Sequence, residues 1–425
     1  MPLTPVRRQL PNGVTLIAQE NPATPAVSLA AVVRTGTFED PPGREGTAAL
    51  LARSLDRGTR TRTGDQIADE LDGIGAALSI AAGRHQVGLS ATCLADDYAA
   101  VLASAADLLR APVFPEAEVR VRLRELVTII RQEEDDPASV AAERLWQELY
   151  GPHPYARALR GTVASVESLD RADLVAFHTA HLLPSRLVVV AVGSLPAAAM
   201  LDAATTAFAE WAADPGRVPA VVPDAPPARS RREVRVAMPD KAQADIAYGF
   251  VGIRRSDPAY MPASVMNNVL GQFALGGRLG DSIRERQGMA YYVFSALDAG
   301  VGPGPVSIRA GVSEDNIDRT IASIDREIDA VRAEGFTETE VAESVQYLTG
   351  ALPRQLETNA GMAGFLLNAE LFDLGLDYDR RLPDLLQAVT RDAVIDQARR
   401  LLDPQQATVV VAGPAGAHTQ PALQS

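Results

Sequence analysis

Cysteine, lysine and histidine are nearly absent from this chain of 425 residues. Its single cysteine, Cys93, has no partner for an internal disulfide and cannot build a thiolate metal site. Lys241 is the only lysine, so nearly all the positive charge is arginine. A biased genome accounts for that as well as any mechanism does. The five histidines, His85, His153, His178, His181 and His418, leave few imidazole sites to consider. No apolar run reaches the ~20 residues a membrane helix needs. The first ten residues lack a signal peptide's apolar core and small-residue cleavage site. Positive charge is in deficit, with 40 Lys and Arg against 54 Asp and Glu. That field disfavours nucleic acid and anionic membranes, because phosphate contacts need a basic stripe. The expectation is a cytoplasmic protein with no nucleic-acid and no membrane partner.

What is present falls into two halves. Pro215, Pro219, Pro223, Pro226 and Pro227 deny residues 215–232 a helix or a central strand. This stretch is predicted to be an extended linker between domains 1–214 and 233–425. The halves repeat each other. Residues 169–195 read LDRADLVAFHTAHLLPSRLVVVAVGSL, and residues 389–415 read VTRDAVIDQARRLLDPQQATVVVAGPA. At a constant offset of 220, Arg171 meets Arg391, Pro184 meets Pro404, Val189 meets Val409 and Gly193 meets Gly413. In both copies an amphipathic helix ends at a proline turn and an apolar strand runs into glycine. Hairpin-like strands, such as 14–19 with 26–34, alternate with helices such as 46–55 and 116–133. The fold class read from this pattern is α+β, two homologous domains, each a mostly antiparallel sheet packed with helices.

Several short segments, in order, carry a further likeness. They are Leu10-Pro11-Asn12-Gly13, Val33-Arg34-Thr35-Gly36, Pro41-Pro42-Gly43-Arg44-Glu45-Gly46, Gly58-Thr59, the run from Arg131 to Pro137, His153-Pro154-Tyr155 and Gly161-Thr162. With them the chain resembles the M16 family of zinc peptidases, the pitrilysin-like inverzincins that include mitochondrial processing peptidase. In that family the helix after the glycine carries H-x-x-E-H, whose histidines bind zinc and whose glutamate activates water. A glutamate about 76 residues beyond completes the ligand set. The resemblance places this motif at Ala49, Leu50, Leu51, Ala52 and Arg53, and the distant ligand at Ile129. Both histidines, the base and the last carboxylate are replaced, so the expectation is no metal and no cofactor in this chain.

The second half retains something else. Arg284 and Tyr291 stand seven residues apart in Ser282-Ile283-Arg284-Glu285-Arg286-Gln287-Gly288-Met289-Ala290-Tyr291. This resembles the family's arginine–tyrosine pair, which reaches the zinc site from the opposite domain. A phenol donates to a carbonyl as it becomes an oxyanion, and a guanidinium clamps a peptide carbonyl or carboxylate. Other features read as structural. His178 and His181 fall where the family has packing residues, and His153 belongs to a histidine–proline pair. The glycine-rich run 299–305 is predicted to connect a hairpin, its prolines lacking donors for phosphate. The acidic run 133–136 is expected to be a solvated helix end.

A chain with the arginine–tyrosine pair and no zinc ligands matches one subunit of the family's two-subunit bacterial enzymes. The resemblance implies peptide substrates and a zinc-bearing partner with an intact H-x-x-E-H motif. This chain would contribute peptide binding and oxyanion stabilisation and have no peptidase activity alone. The alternative is an inert scaffold or peptide-presenting protein of the same fold.

Overall fold

The computed structural model describes residues 2–214, 216, 220–227, 230–272 and 277–414. The first sheet has six strands: β1 Val6–Gln9, β2 Thr15–Glu20, β3 Ala26–Val33, β4 Ala77–Ala82, β5 Val87–Leu94 and β6 Leu187–Gly193. Their order is β1-β2-β6-β3-β5-β4, with β2 and β6 parallel and every other neighbour antiparallel. The second sheet has β7 Arg232–Ala237, β8 Gln243–Val251, β9 Ala290–Leu297, β10 Pro305–Ser313 and β11 Thr408–Gly413. Its order is β7-β11-β8-β10-β9, again with a single parallel pair, β7 and β11. Apart from β1, one sheet repeats the other strand for strand.

The strands β6 and β11 are the sequence repeat, and they occupy the same interior place. Every residue in both is buried, which is why each reads as an unbroken apolar run and does not alternate. Each is fed by a helix, Arg171–His181 or Arg391–Leu401, and a short 3₁₀ turn that opens on proline. Arg171 donates to the carbonyls of Val113 and Phe114, and Arg391 to those of Phe336 and Glu334. In each copy the arginine therefore ties its helix to the junction of two earlier helices, Tyr98–Arg110 with Glu116–Glu134 in the first and Ile317–Glu334 with Glu338–Gln355 in the second. The closing glycines match as well. A Cβ on Gly193 would lie 2.7 Å from Ala26 O, and one on Gly413 would lie 2.6 Å from Ala244 Cα, at the start of the neighbouring strand each time.

Compaction does not follow the two sequence halves. One compact unit comprises residues 1–130, 159–221 and 352–381; the other comprises 131–158, 222–351 and 382–425. The helix Asn359–Leu371 packs on β6 and β3, and the helix Pro137–Tyr150 packs on β8 and β11. Leu145 sits against Gly249, where a Cβ would come within 2.8 Å of its methyl. Each sheet is thus built from one half of the chain and covered by a helix from the other. In the proline-rich stretch, residues 215, 217–219, 228 and 229 lie outside the described residues. Residues 220–227 form no helix or strand, but Val222 is buried, and β7 already begins at Arg232, inside the expected linker.

Candidate functional site

The chain around Arg284 departs from regular helix. The short turn Gly277–Leu279 continues as a seven-residue π-helical segment, Gly280–Arg286. Leu279 and Ile283 are fully buried and anchor this segment in the second core. Arg284 points away from that core with its side chain one-third exposed, and its Nε donates to Glu285 Oε1 at 2.9 Å. Gly288, at φ +61°, turns the chain, with its N–H on Arg284 O at 3.1 Å and Met289 N–H on Ile283 O at 3.1 Å. Two backbone bonds therefore hold the short link between Arg284 and the strand that bears Tyr291.

Tyr291 is the second residue of β9 and is 84 % exposed. The ladder with β10 pairs Tyr292 with Gly311 and Ala290 with Val312, so Tyr291 has no opposite number. It is the extra residue of a β-bulge. Bulges re-aim a side chain and recur beside active sites, as π-helical turns do. Here both irregularities fall on the two residues singled out from the sequence.

The zinc-motif positions lie on regular elements of the other unit. The helix Thr47–Ser54 starts after Gly46, and Asp40 accepts from Gly46 N and Ala48 N at 2.8 and 2.9 Å. Ala52 is buried and Ala49 half-buried. Arg53 Nη2 lies 3.6 Å from Glu125 Oε2, and Arg122 meets the same carboxylate at 2.9 Å. Ile129 follows one turn later on the helix Glu116–Glu134. Two methyl groups, a guanidinium and a butyl chain supply no lone pair to a zinc ion, so the donor set does not fit the metal. Among the described residues no three His, Cys, Asp or Glu side chains come together as a metal site.

The histidines have other work. His178 Nε2 lies 2.8 Å from Leu109 O, and burial pushes its pKa down. His181 Nδ1 lies 3.4 Å from Glu39, which also takes Arg186 Nη1 at 2.8 Å. Burial works against the Glu39 charge, but His181 and Arg186 outweigh it and hold its pKa at about 2. His153 accepts from Tyr155 N at 3.1 Å, the structural role expected of the histidine–proline pair. Burial lowers His85 to about 4 and raises the Cys93 thiol to about 11. Residues 298–304 connect β9 to β10, as expected of a hairpin. In the acidic run, Asp136 caps the helix Pro137–Tyr150 and Asp135 pairs with Lys241 at 2.8 Å. Glu134, Asp135 and Asp136 are all exposed, as expected of a solvated helix end.

Sequence reasoning missed the residues packed around the bulge, Asp245, Arg309 and Gly311. The one available signal was the adjacent pair Tyr291-Tyr292, which breaks strand alternation.

Two units, each with a mixed sheet of one topology covered by a helix from the other half of the chain, define the class. The chain belongs to peptidase family M16. Residues 15–163 match the family profile described as insulinase (peptidase family M16), and residues 168–348 match that described as peptidase M16 inactive domain. An uncharacterized zinc protease of Streptomyces coelicolor is 25 % identical over 402 residues, covering 91 % of this chain and 87 % of the relative. One of Mycobacterium tuberculosis is 27 % identical over 417 residues, covering 97 % and 94 %. Among solved structures, the peptidase M16 inactive domain from Pseudomonas fluorescens superposes with a TM-score of 0.90 at 24 % identity, covering 99 % of this chain and 100 % of that one. A protease from Helicobacter pylori gives 0.91 at 14 % identity, covering 97 % and 100 %. No helix among the described residues is long and apolar enough to cross a membrane.

Proposed function

We propose that this chain is the zinc-less subunit of a heterodimeric M16 metallopeptidase, acting on peptides held between it and a zinc-bearing homologue with an intact H-x-x-E-H motif. The reading rests on Tyr291, an 84 % exposed phenol on a bulge, seven residues after Arg284 on a segment that Leu279 and Ile283 anchor in the core. Tyr291 Oη donates to the scissile carbonyl as it gains negative charge, and Arg284 clamps a neighbouring peptide carbonyl or carboxylate. The residues at Ala49, Ala52, Arg53 and Ile129 leave activation of water to the partner, and no metal step is assigned to this chain. Because the partner supplies the nucleophile, the chain alone is inactive and cytoplasmic peptide turnover or processing requires both subunits.

The test is reconstitution with such a homologue. Peptide cleavage is expected from the mixture well above either chain alone. Tyr291→Phe lowers kcat by about 10²–10³ (about 2.7–4 kcal/mol) with assembly unchanged, since only one oxyanion donor is removed. Arg284→Ala acts chiefly on KM if it binds ground-state peptide. Full activity in the double variant would establish the scaffold reading in its place.

A further inference from the structure

We infer that Asp245, Gly311, Tyr292 and Arg309 form a buried brace whose task is to fix the bulge that turns Tyr291 outward, which makes them positioning residues for Tyr291. The strand registers place three of the four in one row. Asp245 on β8 pairs with Gly311 on β10, and Gly311 pairs with Tyr292 on β9. Gly311 is needed for space and not for an unusual φ. A Cβ there would lie 2.6 Å from Tyr292 Cε1 and 3.0 Å from Cδ1, so the ring lies across the glycine. From that position the Tyr292 hydroxyl spans β10 and donates to Asp245 Oδ1.

Arg309 closes the brace. It sits two residues from Gly311, on the same face of β10, with Nη2 3.5 Å from Asp245 Oδ1. The same nitrogen donates to Ala138 O in the first turn of the helix Pro137–Tyr150. Asp245 and Arg309 side chains are only 12 % and 17 % exposed, so neither charge is well solvated without the other. Burial is the main influence on Asp245 and raises its pKa, against the pull of Tyr292 and Arg309. Phe294 stacks against Tyr292 with ring centroids 5.8 Å apart.

The brace makes one register much better than its neighbours. Sliding β9 by one residue would flip Tyr292 to the other face and leave a buried carboxylate short of a donor. It would also bring a Tyr291 side chain into the ladder. With Tyr292 locked over Gly311, and Ala290 paired with Val312, the chain has one residue too many, and Tyr291 is the one expelled. The catalytic consequence rests on the function proposed above; the mechanical one does not.

The two are tested separately. The chain is prepared with 3-fluorotyrosine, and the ¹⁹F line lost in Tyr291→Phe is assigned to Tyr291. Gly311→Ala and Tyr292→Ala are each expected to shift or split that line and to speed amide exchange over residues 288–294. An equally destabilised core variant in the same unit, such as Ile324→Ala, moves the melting temperature and leaves the line in place. Since the clash at 311 exists only with the ring present, Gly311→Ala added to Tyr292→Ala has almost no further effect. Tyr292→Phe keeps the ring over the glycine and gives the mildest shift. In the reconstituted enzyme, Gly311→Ala lowers kcat by about 10–100-fold with KM little changed, as expected of a misplaced donor. An unmoved Tyr291 line in both Gly311→Ala and Tyr292→Ala overturns the brace, as does simple additivity in the double variant. A moved line with no activity from any mixture upholds the brace and removes the proposed function.

Discussion

The two units are built to one plan and differ most tellingly in one helix and the strand that follows it. In the first, the helix Gly64–Gly73 opens with a complete capping box and β4 pairs with β5 in unbroken register. In the second, the matching helix is π-helical and the matching strand is bulged. The strand registers put Ala77, opposite Thr92, where Tyr292 stands opposite Gly311, so the exposed Tyr291 falls where the first unit has Ala76, a buried residue. Regular elements bury their side chains; the irregular copy presents them. The first unit, with its zinc-motif positions filled by Ala49, Ala52, Arg53 and Ile129, retains no such departure. Local rules are broken where a side chain has a task, and by that measure the function proposed above falls to the second unit.

The comparison is broken most forcefully at Glu39. The first unit carries a buried pair, Arg186 with Glu39, where the repeat offers Gln406 in place of the arginine. Glu39→Gln leaves Arg186, only 2 % exposed, without its charge partner and is expected to cost about 3–5 kcal/mol in urea unfolding at pH 7. Because Glu39 titrates at about 2 when folded and near the usual 4.5 when unfolded, its contribution is complete above 4.5. It is lost as pH falls from 4.5 through 2, so the gap between wild type and variant narrows over that window. A gap that persists at pH 2 would show that lost packing, not charge, is responsible.

Next in size are the paired glycines. Gly193→Ala and Gly413→Ala each drive a Cβ into the adjoining strand, and each is expected to cost about 1–3 kcal/mol. Nearly equal losses sharpen the equivalence of the two copies, whereas a silent Gly413→Ala would break it. The smallest effect belongs to Arg53. Its pair with Glu125 is more than one-third exposed on both sides, so Arg53→Ala is expected to change stability by at most about 1 kcal/mol. A larger loss would reveal a structural demand at this position.

The repeat was the most legible part of the architecture, because a helix, a proline turn and an apolar strand recur at one offset. Arg171 and Arg391, aligned from sequence alone, make the same contact to the turn before them. The hairpin across 299–305 followed from glycine and proline in a run unsuited to anything longer. The helix exchange was not legible. The amphipathic pattern over 137–150 and the largely apolar run over 359–371 show that these helices are buried, and are silent on which sheet buries them. The π-helical turn had no marker in Gly280-Asp281-Ser282-Ile283-Arg284-Glu285-Arg286. The arginine and tyrosine themselves were found through family resemblance; their exposure and the brace behind them came only from strand register and packing.

That exchange of helices sets a timetable for synthesis. The central strand β6 is complete at Gly193, yet the helix that packs on it begins only at Asn359. On the order of 170 residues separate the two, and at roughly 5–20 residues per second the ribosome needs about 10–30 seconds to bridge them. Throughout that interval one side of a valine-rich strand waits for a cover not yet made. A nascent chain stalled between these points should be a preferred client of holdase chaperones, and should be released from them once Leu371 has emerged.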